Sequence, residues 1–324
     1  MKVLIIGGAG MIGRKLAERL AKDGALGGKE ISSLTLYDVV EGAVPPGAKM
    51  QVKITTGDLP ADGEARKMII DRPDVIFHLA AIVSGEAEQD FDKGYRINMD
   101  GTRSLLEAVR HAGHRPRIVF ASSIAVFGAP FPEAIGDEFF NTPLTSYGTQ
   151  KNICELLVSD YSRKGFLEGV SIRLPTICVR PGKPNKAASG FFSSIMREPL
   201  AGQEAVLPVS ESVMHWHASP RAAVGFMVHA ATMDTSTVGP RRAITMPGLA
   251  VTVGEQIAAL KKVAGEKVVA RIRREPDPFI EQIVAGWPRR FDAKRALALG
   301  FKPDATFEAI VRIHIEDELG GKVA

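Results

Sequence analysis

The chain has 324 residues, 45% of them hydrophobic and 24% charged, which excludes disorder as the main state and suffices for one large core or two modest ones. Lysine plus arginine exceeds aspartate plus glutamate by 41 − 37 = 4 with no long run of like charge, so the clustered basic face of a nucleic-acid binder is missing. Two cysteines, Cys154 and Cys178, exclude a disulfide framework and a cysteine-rich zinc site, and point to a reduced, cytoplasmic setting.

Lys2–Ile6 reads as a buried strand running straight into glycines, too short for the apolar segment of a signal peptide. Met11–Lys22 has helical spacing at Ile12, Leu16 and Leu20. Ile31–Asp38, Gln51–Asp58 and Asp74–Ala81 read as strands, Arg96–His111 as a helix, Arg117–Ser123 as a fifth strand, Ser146–Lys164 as a long helix and Gly169–Pro175 as a sixth strand. Apolar strands alternating with helices predict a doubly wound α/β fold, a Rossmann-type parallel sheet. No window of about 18 apolar residues predicts a membrane span.

After Pro175 the rhythm changes. Residues 180–190 read as a loop. Helical patterns follow over Phe191–Leu200, Ala218–Met233, Gly254–Val263 and Asp277–Val284, with short strands near Gln203–Leu207 and Arg241–Met246. The expected division is a nucleotide-binding domain over 1–176, with a returning segment near 213–246. A smaller mixed α/β substrate-binding region covers 177–324. His215 and His217 share a strand face, but no third metal ligand lies near them in sequence, so no metal is expected.

Gly7, Gly10 and Gly13 stand between the first strand and the first helix, in the order GGAGMIG. Glycines there allow a tight turn and close approach of a pyrophosphate, and the helix start at Met11 and Ile12 offers free N–H groups. Asp38 ends the second strand, where a carboxylate accepts from the adenine-ribose hydroxyls. The same charge repels a 2′-phosphate, and no arginine follows in Val39-Val40, so NAD is favoured over NADP. Asp58 and Leu59 end the third strand, at an adenine contact or a plain turn.

Tyr147 and Lys151 lie one turn apart at the start of the long helix. A phenol is a poor base at neutral pH, and a nearby ammonium lowers its pKa. Ser122 and Ser123 end the fifth strand, at the carboxyl edge where ligands of such sheets bind.

Together these segments, with GDL at 57–59, HLAA at 78–81, Asn98–Thr102, SSIAVFG at 122–128, YGTQK at 147–151 and the 290–303 segment, resemble the extended short-chain dehydrogenase/reductases. That family includes the NAD-dependent sugar epimerases and dehydratases. The resemblance implies Tyr147 as general base, Lys151 as its activator and ribose ligand, and Ser123 as the third catalytic residue. It places Ser122, Leu79, Ala80, Ala81, Pro175 and Ile177 beside the cofactor, and Asn98 behind Lys151.

Two departures narrow the activity. Dehydratases carry Asp-Glu where Ile124-Ala125 stand here. Nucleotide-sugar enzymes carry an arginine where Val213 stands, although Arg221 is close enough in sequence to replace it. The stretch Arg173–Gly190 resembles the D-erythronate dehydrogenase group within the family, which oxidises a four-carbon sugar acid at C2 with NAD. A small sugar acid needs hydroxyl partners and one cation. Ser84, Ser123, Tyr147, Thr176 and Asn185, with one of Arg173, Lys183 or Arg221, are the candidate substrate contacts. The alternative activity is nucleotide-sugar 4-epimerisation. Family members pair helices into a homodimer, and Ile153, Leu156, Leu157 and Tyr161 are the candidate contacts.

Overall fold

A computed structural model describes residues 1–182 and 188–324 of the chain. Strand β1 (Lys2–Ile6) buries Val3, Leu4, Ile5 and Ile6, because helices cover both faces of its sheet. It leads through the glycine loop into α1 (Met11–Asp23). Strands β2 (Ser33–Asp38), β3 (Gln51–Thr56) and β4 (Val75–His78) follow. Then come helix α2 (Gly101–Ala112), strand β5 (Arg117–Ser123), helix α3 (Ser146–Arg163) and strand β6 (Glu168–Leu174).

Beyond β6 the chain makes the short strand β7 (Thr176–Ile177), helix α4 (Phe191–Leu200), strand β8 (Met214–Ala218) and helix α5 (Pro220–Thr232). Strands β9 (Ala243–Thr245) and β10 (Leu249–Thr252) are followed by helices α6 (Val253–Ala264), α7 (Pro278–Ala285) and α8 (Phe307–Glu318).

The main sheet has seven parallel strands in the order β9-β6-β5-β4-β1-β2-β3. The order in which successive strands are added reverses between β1 and β4, and the crevice at that switch point is where open α/β sheets take ligands. One face packs against α1 and α5 through Leu16, Leu20, Phe226 and Met227. The other packs against α2 and α3 through Leu105, Val109, Cys154 and Val158. Helix α5 and strand β9 thus return to the main sheet, whereas β8, earlier in the same stretch, belongs to a separate sheet.

The remaining C-terminal elements bury a second core between α4, α6 and α8, around Phe192, Ile195, Leu260, Phe307 and Ile310. Beside it lies a mixed sheet in the order β7-β8-β10, parallel at β7–β8 and antiparallel at β8–β10. Among the described residues no helix is long and apolar enough to cross a membrane.

The helix read over Arg96–His111 departs from expectation at its start. Tyr95–Asp100 forms a wider π-helical turn before α2 begins at Gly101. Such turns often mark functional sites, and this one carries Asn98.

Candidate active site

Two close backbone approaches shape the site. A Cβ at Gly13 would sit 2.0 Å from the Gly7 carbonyl oxygen, so only glycine lets α1 enter this close to the loop. Gly10 caps α1 without a side-chain hydrogen bond, leaving its first N–H groups open to an anion. The Asp38 carboxylate accepts from the Ala9 N–H (2.9 Å) and the Val39 N–H (2.7 Å), which holds it against the loop. This loop, open helix start and strand-end carboxylate fit the phosphates and ribose of a dinucleotide.

The second approach is at Gly148, where a Cβ would lie 2.1 Å from the Ala125 carbonyl oxygen. Helix α3 therefore begins in contact with the turn after β5, and Tyr147 is carried to Ser123. The Thr145 hydroxyl caps the helix by accepting from the Gly148 N–H, 3.1 Å away.

Lys151 is 2% exposed. Its ammonium donates to the Ala121 carbonyl (2.8 Å) and lies 5.6 Å from the Tyr147 ring centre and 4.7 Å from that of Phe120. Burial lowers this ammonium to about 8. Burial raises the Tyr147 phenol to about 12, against which the Arg180 charge and the Ser123 hydroxyl act. Ser123 Oγ accepts from the Ala125 N–H at 3.1 Å.

Asn98 supports this helix. Its Oδ1 accepts from the Ile82 N–H (2.9 Å) and its Nδ2 donates to Gln150 Oε1 (2.8 Å), next to Lys151. Glu155, one turn beyond Lys151, is also buried. It receives the Ser122 hydroxyl at 2.5 Å and pairs with Arg173 through contacts of 2.7–3.1 Å.

Ser122, Ser123, Tyr147 and Lys151 open on a cavity of about 540 Å³ whose lining also includes Met11, Ile12, Trp287 and Pro288. Leu79, Ala81, Ser84, Ser122, Ser123, Tyr147, Lys151, Pro175, Thr176 and Ile177 all line it. Ala80 lies beside the glycine loop, its backbone 2.7 Å from the Cβ position of Gly7. Asp58 instead meets Arg96 (2.8 Å) and Leu59 packs in the core, so neither is part of this cavity wall.

Arg221 is a correction. It sits in the first turn of α5, ion-paired with Glu316 and Asp317 of α8 and away from the cavity. Two acids already neutralise it, so it cannot stand in for the arginine missing at Val213. Arg173 is likewise occupied by Glu155. Lys183 and Asn185 lie outside the described residues.

Sequence reasoning passed over Arg180, whose guanidinium lines the cavity. It donates to the Ile177 carbonyl (3.1 Å) and weakly to Ser189 Oγ (3.4 Å). No carboxylate of the described residues pairs with it, and residues 183–187 contain none. It stood in the sequence between Val179 and Pro181 as one more loop arginine, and only its place in the cavity wall distinguishes it.

A model of the NAD dependent epimerase/dehydratase family matches residues 3–219. The chain is 47% identical over 322 residues to a D-erythronate dehydrogenase of Cupriavidus necator, covering 98% of both chains. It is 46% identical to one of Haemophilus influenzae, covering 98% of this chain and 100% of that one. A solved structure from Agrobacterium tumefaciens, described as a nucleoside-diphosphate-sugar epimerase, is 64% identical with a TM-score of 0.98, covering 100% of this chain and 96% of that one. The glycine loop, the Ser123, Tyr147 and Lys151 constellation and these matches together place the chain in the NAD-dependent epimerase/dehydratase family.

Proposed function

We propose that the chain is an NAD-dependent dehydrogenase that oxidises the C2 hydroxyl of a small sugar acid, with D-erythronate as substrate and the 2-oxo acid as product. The observation that carries this reading is Arg180, a half-buried cation in the cavity wall shared with Tyr147, which meets no carboxylate among the described residues. A cation in a cavity wall with no acid beside it is open to an anionic ligand, and a guanidinium matches a carboxylate in two parallel hydrogen bonds. The names of the relatives from Cupriavidus necator and Haemophilus influenzae support the same substrate.

The Gly7–Gly13 loop and the start of α1 hold the pyrophosphate, and Asp38 the adenine ribose. Lys151 and Tyr147 hold the nicotinamide ribose, between walls of Leu79, Ala81, Ser122, Pro175 and Ile177. NAD, when bound, supplies the hydride-accepting ring. Ser123 Oγ and Tyr147 Oη meet the C2 hydroxyl. The Lys151 charge stabilises the Tyr147 phenolate, which takes the hydroxyl proton as the C2 hydride departs. Arg180 holds the carboxylate and fixes which face of C2 is presented.

The second reading, nucleotide-sugar 4-epimerisation, is favoured by the description of the Agrobacterium relative. It returns the hydride to the sugar, so external NAD is not consumed. Protein is mixed with excess NAD and D-erythronate, D-threonate, L-threonate or UDP-galactose, and NADH absorbance is followed. Many turnovers of NADH with one aldonate support the dehydrogenase. No NADH with any acid, together with conversion of the nucleotide sugar, replaces it with the epimerase.

The same proposal includes a homodimer formed along α2 and α3. Leu156 is 65% exposed there, and Ile153 and Leu157 stand half-buried beside it.

A further inference from the structure

The cavity wall holds a three-member chain of hydrogen bonds. His215 Nδ1 lies 2.9 Å from the Pro288 carbonyl oxygen, and His215 Nε2 lies 2.7 Å from Thr176 Oγ1. The ring is held from several sides. Phe192 stacks on it at 5.1 Å and 3° between planes, His217 meets it edge-on at 5.3 Å, and Trp287 lies 5.4 Å away. Thr176, His215, Trp287 and Pro288 all line the cavity.

The direction of each bond follows from chemistry. A carbonyl oxygen only accepts, so His215 Nδ1 carries the proton. Burial holds His215 down to about 4, so the ring is neutral at pH 7 and Nε2 is a bare lone pair. Thr176 must then donate its one proton to Nε2. Its oxygen is left with lone pairs only for anything else in the cavity.

We propose that Thr176, fixed by His215 and the Pro288 carbonyl as an acceptor-only oxygen, selects a substrate hydroxyl beyond the reacting carbon. This rests on the sugar-acid reading above. Arg180 has donors and no acceptor, while Thr176 offers an acceptor and no free proton. A carboxylate against Thr176 meets lone pairs, and a hydroxyl against Arg180 leaves the cation unneutralised. The two groups therefore tell the ends of a hydroxy acid apart, carboxylate to Arg180 and hydroxylated tail to Thr176. A monocarboxylate without that tail leaves the Thr176 oxygen unpaired, which is the penalty that gives strong discrimination in polar sites.

The test is a cycle of variants against deoxy analogues. Wild type, Thr176→Val and Thr176→Ser are assayed on D-erythronate, on its 4-deoxy analogue 2,3-dihydroxybutanoate and on its 3-deoxy analogue 2,4-dihydroxybutanoate. Thr176→Val keeps the shape and removes the oxygen. It is expected to lower kcat/KM for D-erythronate by roughly 10–100-fold, and to cost little on the analogue that already lacks the partner hydroxyl. Thr176→Ser is expected to restore most of the loss. An equal loss on all three acids, or no loss on D-erythronate, overturns the proposal.

A second measurement stands apart from substrate identity. Nitrogen-15 NMR of the histidines in the free protein is expected to show His215 protonated at Nδ1 and bare at Nε2. The opposite tautomer overturns the acceptor-only assignment directly. If wild type makes no NADH with any of the three acids, the functional reading fails first and removes the proposal with it.

Discussion

Tyr147 must lose a proton to act, yet burial holds its phenol near 12 and the Lys151 ammonium is itself lowered to about 8 by burial. The active form is the phenolate, so kcat/KM for oxidation is expected to rise with pH. Removing a positive charge raises a neighbouring phenol further. Lys151→Met is therefore expected to move the rising limb of the pH profile to higher pH, and an unmoved limb would remove Lys151 as the stabilising charge. Tyr147→Phe is expected to bind NAD normally by fluorescence titration while kcat drops by about 10²–10⁴, the range for loss of a general base. Arg180→Met is expected to raise KM for the sugar acid by roughly 10–100-fold with KM for NAD unchanged, as for loss of a charge-assisted pair. A parallel rise in both constants would assign Arg180 to the architecture of the pocket.

At the level of elements, helix α3 does two jobs. Its inward face presents Tyr147, Lys151 and Glu155, and its outward face presents Leu156. In the sequence Lys151 and Glu155 are four residues apart and look like a solvated helical ion pair. Both are 2% exposed, and Glu155 instead pairs with Arg173 on β6, 18 residues further along. Breaking a buried pair leaves one charge uncompensated. Glu155→Gln is expected to destabilise the fold by about 3–5 kcal/mol in urea melts, and the double variant Glu155→Leu, Arg173→Met to recover most of it. If the single variant melts like wild type, the pair does not hold α3 on β6. Tyr147, Lys151 and Ser123 were legible because their spacing sits on strongly patterned elements. Glu155 and the π-helical turn were not, because burial and an extra residue per turn leave no periodic trace.

Across the whole molecule, the sheet order brings residues from four separate stretches to one cavity. Ser123 comes from β5, Tyr147 from α3, Thr176 from β7 and Trp287 from the loop after α7. Helix α8 was not read in the sequence, although Phe307, Ile310, Val311, His314 and Ile315 recur at helical spacing behind the Thr306 cap. It closes the second core and engages Arg221 through Glu316 and Asp317. For the proposed homodimer, Leu156→Glu is expected to shift light-scattering mass toward one chain with the thermal melt little changed. A mass unaffected by the substitution would place the contact elsewhere.

The sequence by itself determined the parallel sheet, the glycine loop, the strand-end Asp38 and the pairing of Tyr147 with Lys151. Each of these rests on local pattern, namely apolar period, glycine spacing and a single helical turn. Tertiary structure alone decided which of three arginines meets an acid. Arg173, Arg180 and Arg221 are the same residue type, and sequence alone ranks none above the others as a carboxylate partner. The fold neutralises Arg173 with Glu155 and Arg221 with Glu316 and Asp317, and leaves Arg180 in the cavity wall with no acid beside it among the described residues. The polarity of Thr176 is decided the same way, because a threonine hydroxyl both donates and accepts until a neighbour such as His215 takes its proton.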